Sequence, residues 1–141
     1  MNILVIDGQG GRMGKTLITE IRKVCPDAVI TAVGTNSIAT ENMMKSGGAD
    51  HLATGENAVA VACRKAQIIA GPVGIAIADA MMGEISPVMA NAVASSGAYR
   101  VLIPMNLCDT YVAGVTGSSA EMMADALEHI RRLTEKEKKN E

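Results

Sequence analysis

Four glycines crowd one stretch near the start of the chain, Gly8, Gly10, Gly11 and Gly14, and three of them, Gly8, Gly11 and Gly14, recur at every third residue. Glycine at that spacing suits one kind of chemistry, the cradling of a phosphate. The first glycine permits a tight bend, the second lets backbone approach the anion, and the third lets a helix close onto a strand. The amides at the start of that helix then face the anion with the helix dipole behind them. Asp7, Gly8, Gly10, Gly11, Arg12, Met13 and Gly14 are therefore the expected ligand-loop positions, with Arg12 adding a cation. Asp7 has two readings: a group that binds a metal or orients a ligand hydroxyl, or a carboxylate that accepts loop amides to fix the turn.

Gly14-Lys15-Thr16 reproduces the end of a nucleoside-triphosphate loop, G-x-x-x-x-G-K-[ST], but the first glycine of that pattern falls on Gln9. The run Ile68–Ala70 leads into Gly71 and Pro72 instead of the aspartate such a site needs. The dinucleotide-type loop is preferred on that spacing, and a purely structural glycine turn with no ligand is the remaining alternative. A dinucleotide site usually places an acid about twenty residues beyond the loop to hold a ribose. Thr35, Asn36 and Ser37 stand there instead. Their neutral hydroxyl and amide groups favour NADP over NAD and leave a mononucleotide open. Gly71 joins the expected site because it closes a later strand on the same side.

Other groups with chemical potential are scattered. Asp79 and Glu84 lie in the apolar stretch Ile75–Ile85, where a partly buried carboxylate acts either as a general base or as a cap on a neighbouring helix. His51, ahead of Thr54-Gly55-Glu56-Asn57, is better placed for catalysis than His129, and neither comes with a nucleophile and an orienting acid. Cys25, Cys63 and Cys108 lack paired spacing, so reduced, packed thiols are expected and no metal site.

The elements that position these groups follow from periodicity. Short apolar runs at Ile3–Ile6, Val29–Val33, His51–Ala53, Ile68–Ala70 and Val101–Ile103 predict strands, and the helical patterns between them predict parallel βαβ units. Met13, Leu17, Ile21 and Val24 mark a helix over residues 12–24, stopped by Pro26. Further helices are predicted from Ile38 to the Gly47-Gly48 pair and from Glu56 to Lys65, where Ala58–Ala62 also reads as a buried strand. Another starts at Ser86-Pro87 and stops at Gly97, and the last is capped by Ser118 with Glu121. The short link from Val101–Ile103 to Tyr111–Val115 cannot hold a parallel crossover, which predicts an antiparallel edge strand. The fold class is thus α/β, doubly wound and Rossmann-like, with a mainly parallel sheet, helices on both faces and an antiparallel edge. Residues 1–134 read as one domain and residues 135–141 as a solvated tail.

In 141 residues there is no Phe or Trp, so Ile, Val, Leu, Ala and ten Met must fill the core. A net charge of −2 supplies no basic stripe for nucleic acid. The opening MNILVID reads as a buried strand, and the apolar stretch 66–82 is broken by Gly71, Pro72, Gly74 and Asp79. A cytoplasmic protein without membrane spans is expected. The apolar Gly74–Ala94 region is either core helix or the face of a homodimer or larger assembly.

Gly11-Arg12-Met13-Gly14 after a hydrophobic strand resembles the NAD(P)H loop of dihydrodipicolinate reductases over about the first 24 residues. That resemblance implies cofactor-loop roles for Gly8, Gly11, Arg12, Met13 and Gly14, and it stops short of that family's catalytic domain and substrate motif. Across nearly its whole length the chain resembles an uncharacterised bacterial domain-of-unknown-function family. The segments that carry this are IDGQGGRMGKTLI, AVGTNSIAT, GADH, TGENA, GPVGIAIADAMMGEISP and VLIPMN. It implies a Rossmann-like fold and no activity. The expected function is a nucleotide-binding or sensing module. The alternatives are a small NAD(P)-dependent reductase completed by a neighbouring subunit and, third, a P-loop NTPase.

Overall fold

The structure is a computed structural model, and it describes residues 1–105 and 109–141. Asn106 and Cys108, named above or in the motif VLIPMN, lie outside the described residues.

Five strands form one sheet in the order β3-β2-β1-β4-β5, with β1 at Asn2–Asp7, β2 at Val29–Gly34, β3 at His51–Thr54, β4 at Ile68–Pro72 and β5 at Tyr99–Ile103. Every described pairing is parallel. A central parallel strand is covered on both faces, which is why Ile3 to Ile6 form an unbroken apolar run instead of an alternating one. Ile3 and Val5 join a core under α1 (Arg12–Val24), α2 (Ser37–Met44) and α5 (Ser119–Asn140). Leu4 and Ile6 join a second core under α3 (Glu56–Lys65) and α4 (Pro87–Ser95). This is the doubly wound α/β arrangement that the alternation of runs predicts.

Strand order reverses between β1 and β4: β2 and β3 lie on one side of β1, and β4 and β5 on the other. Ligands of open α/β sheets bind beyond the carboxyl ends of the strands at such a point. Register aligns those ends, since Asp7 pairs with Gly34 and Gly34 with Thr54. The amides of Thr35 and Gly55 carry the ladder one step further, bonding Asp7 O at 3.0 Å and Gly34 O at 2.9 Å. The loop after β1 and the start of α2 are therefore neighbours.

The antiparallel edge is not formed. Among the described residues, 111–115 make no strand, and Tyr111 is 89% exposed. The short link bears on the direction of pairing only if the segment pairs at all, and it does not. A turn at Ala113-Gly114, with Gly114 at φ +84°, diverts the chain into α5, which packs back against α1 and β5. Residues 135–140 are largely exposed and continue α5 as helix, where Lys138 meets Asp27 at 2.9 Å and Gln67 bonds Glu137.

Candidate functional site

The loop between β1 and α1 is held from below by Asp7. It is the one buried charged side chain among the described residues, with Oδ1 accepting the Gly8 amide and Oδ2 the Gly14 amide, each at 2.8 Å. Burial pushes its carboxyl up, the Gly14 and Gly8 amides pull it partly back, and the charge of Glu84 adds to the rise. With both oxygens committed to the loop, Asp7 fixes the turn.

The glycines divide by role. Gly11 has φ +71°, and a Cβ there would stand 2.6 Å from the carbonyl oxygen of Ala39, so it permits both the left-handed turn and close contact of the loop with α2. At Gly14 a Cβ would meet Asp7 Cβ at 2.9 Å, the close helix-to-strand packing assigned to a third glycine. Gly8 lies beneath Met81 Sδ and Glu84 Oε1, whereas Gly10 faces open space. Gly71 sits inside β4 against the Ile6 carbonyl and is shaped by sheet packing.

What remains open is narrow. Gly11 N bonds Gly8 O at 2.9 Å and Lys15 N bonds Gly11 O at 3.0 Å. Among the described residues the amides of Gly10, Arg12 and Met13 have no acceptor, and the Arg12 side chain is exposed and unpaired. These are three adjoining donors at the start of a 13-residue helix with no side-chain cap.

Thr35 and Asn36 reach the same place, while Ser37 stands exposed beside them. Asn36 Oδ1 accepts the Ala39 amide at 2.9 Å and caps α2, while its Nδ2 donates to Gln9 O at 3.0 Å; Ser37 opens the helix. Asn42 Nδ2 also donates to Gly10 O at 2.8 Å, so α2 clamps the glycine loop from one side.

Glu84 comes from the other side. Its Oε1 accepts the Gln9 amide at 2.9 Å, Thr35 Oγ1 at 2.8 Å and Asn36 Nδ2 at 2.7 Å. Burial raises its carboxyl, but these three donors outweigh that and hold it below the ordinary glutamate range. Glu84 joins the glycine loop to the start of α2 and, among the described residues, accepts no helix amide, which sets aside the helix-cap expectation. The sequence showed an acid isolated in an apolar stretch, and no pattern pointed from it to Asn36. The segment before α4 thus sets a carboxylate beside Thr35 and Asn36, which carry no acid of their own.

The remaining candidates lie elsewhere. His51 starts β3, three residues before the carboxyl end, and lines a cleft under α3 with Lys65 and Ala62. His129 sits 3.1 Å from the Tyr99 hydroxyl on the α5 side. Burial pushes the Cys63 thiol up to about 11, so it stays protonated at neutral pH. Asp79 is exposed on a turn, and most apolar side chains of 74–94 belong to the second core, with Met82 and Val88 left exposed. Among the described residues no three or more His, Cys, Asp or Glu side chains gather as a metal site, and no helix is long and apolar enough to cross a membrane.

No curated protein matches the chain. Among solved structures it is similar to a dodecameric FMN-dependent UbiX-like decarboxylase from Escherichia coli O157:H7, with 18% identity, a TM-score of 0.47, and coverage of 92% of this chain and 75% of that one. The match that spans almost the whole sequence, residues 2–136, places the chain in the family described as a domain of unknown function, DUF3842.

Proposed function

We propose that the protein is a nucleotide-binding module that seats a phosphate on the amides of Gly10, Arg12 and Met13 and the adjoining sugar beside Thr35–Ser37. One observation carries this reading. At the topological switch point the loop's other amides, those of Gly8, Gln9, Gly11 and Gly14, are satisfied within the protein, and these three adjoining donors are not. A helix start that gathers free amides attracts an anion through short-range hydrogen bonds and the helix dipole. The Arg12 guanidinium adds charge at the open side.

The covered and open halves of the loop define the path. Met81 and Glu84 lie over Gly8, so the phosphate approaches from the Gly10 side. Glu84 also places a negative charge beside the sugar position, which counts against a ligand with a 2′-phosphate and hence against NADP. The Lys15 side chain does not act as a triphosphate lysine in this reading, because the Gly14 amide of its motif is already given to Asp7.

The test has two parts. Mass spectrometry of the natively purified protein is expected to detect a retained nucleotide. Calorimetry with NAD, NADP, FAD, ATP and AMP is expected to show millimolar or tighter binding of at least one. If no nucleotide copurifies and none of the five binds, the glycine loop is structural and the proposal fails.

A further inference from the structure

The observation with the longest reach is an asymmetry within one carboxylate. Glu84 Oε1 accepts three hydrogen bonds, from Gln9, Thr35 and Asn36, whereas Oε2 of the same group has no partner among the described residues. A carboxylate held through one oxygen has its plane and direction fixed. Its second oxygen retains full acceptor capacity, and it lies at the carboxyl end of β2, beside the residue that precedes the open Gly10 amide.

The mount is as specific as the group. Asp79, Met81 and Met82 have φ values of +65°, +56° and +57°, and Gly83 follows at +89°. Left-handed backbone at side-chain-bearing residues persists only where the surroundings over-determine it, and it concentrates at ligand sites. Packing does not demand it at Met82, which is 97% exposed. The turn is closed by its own backbone bonds, Asp79 N to Ile85 O at 2.7 Å, Gly83 N to Asp79 O at 3.0 Å and Glu84 N to Met81 O at 3.2 Å. Its effect is to lay Met81 over Gly8 and to bring Glu84 to the start of α2.

We infer that Glu84 is the specificity-determining residue of the nucleotide site, with Oε2 accepting hydrogen bonds from the vicinal hydroxyls of an unmodified ribose. This rests on the glycine-loop reading above. The ligand class narrows to 5′-phosphorylated ribonucleosides with free 2′ and 3′ hydroxyls. A 2′-deoxy sugar loses a donor to a charged acceptor, and a 2′-phosphate meets like charge. The residue that performs this selection comes from the turn before α4 and not from the end of β2.

Calorimetry with AMP, 2′-deoxy-AMP and adenosine 2′,5′-bisphosphate keeps the base and the 5′-phosphate constant and changes only the 2′ position. The wild type is expected to bind AMP about tenfold or more tighter than 2′-deoxy-AMP, the range of a hydrogen bond to a charged group, and to bind the bisphosphate no tighter than AMP. Glu84→Gln keeps an oxygen for Gln9, Thr35 and Asn36 and turns the free atom from acceptor to donor. In that variant the AMP preference should shrink to about twofold or less while the bisphosphate gains about tenfold. AMP and 2′-deoxy-AMP binding the wild type equally overturns the inference and leaves the glycine-loop reading standing, as does an unchanged preference in folded Glu84→Gln. No binding of any of the three contradicts the glycine-loop reading for adenine nucleotides and removes this inference with it.

Discussion

Two helix starts lie near the switch point, and they are finished differently. At α4, Ser86 Oγ accepts the Met89 amide at 3.2 Å and Pro87 occupies the first helical position, where its missing N–H leaves one fewer orphan donor. At α1 there is no side-chain cap; Gly11 takes the left-handed conformation, and the amides of Gly10, Arg12 and Met13 are left without an acceptor. The caps of α2 and α5, Asn36 and Ser118, resemble that of α4. The start of α3 is uncapped as well, with Gly55 at φ +100°; what sets α1 apart is that its open start follows β1, where the strand order reverses between β1 and β4.

The largest effect expected from breaking this contrast is structural. Gly11→Val imposes a β-branched side chain on φ +71° and drives its Cβ into Ala39, so denaturant unfolding should show a loss of about 3–5 kcal/mol. That variant therefore reports on folding and says little about phosphate. Ser86→Ala removes the cap of α4 and should cost about 1 kcal/mol in the same assay, with nucleotide affinity unchanged. Arg12→Ala should leave stability unaltered and weaken nucleotide binding about two- to fivefold, an effect that shrinks as salt is added.

The smallest effect is a pH dependence. The Glu84 carboxyl is held below its ordinary value of 4.5, so its contribution to stability is present above that value and is lost as pH falls through the lowered one. The stability gap between wild type and Glu84→Gln should accordingly narrow as pH drops below 4.5. Asp7 acts in the opposite sense: its raised value makes its contribution greatest below 3.8 and diminishes it as pH rises. A gap that widens on acidification would contradict the lowered value of Glu84.

The fold was legible because its signals are local. The run Ile3–Ile6, the apolar stripe from Leu17 to Ile21 and the Ser86-Pro87 cap each state an element within a few residues, and the helix at 12–24 appears with the predicted bounds, while at 56–65 the helix forms and the alternative strand at 58–62 does not. The segment Tyr111–Val115 has strand-forming side chains, but pairing depends on where α5 pulls the chain, which no local pattern records. Within the site, the glycine spacing and the nearness of residues 35–37 follow from strand order and register. The use of each glycine does not. Gly10 and Gly11 are adjacent and identical in type, yet one faces open space and the other packs against α2. Glu84 was visible as an isolated acid, but its destination depends on a turn of left-handed residues whose types, Asp, Met and Met, do not announce that conformation.

The contrast between Gly10 and Gly11 supplies the decisive variant. Gly10 does not lie at positive φ, and a Cβ added there meets nothing within 4 Å, so Gly10→Val fits the folded loop while its side chain fills the approach to the free amides. Calorimetry of wild type and Gly10→Val with the tightest-binding nucleotide is the most direct measurement of the central claim. The account predicts that the variant keeps the wild-type unfolding midpoint and loses affinity about a hundredfold or more, the equivalent of about 2.7 kcal/mol. A folded Gly10→Val that binds as tightly as the wild type would contradict it and would place the ligand elsewhere.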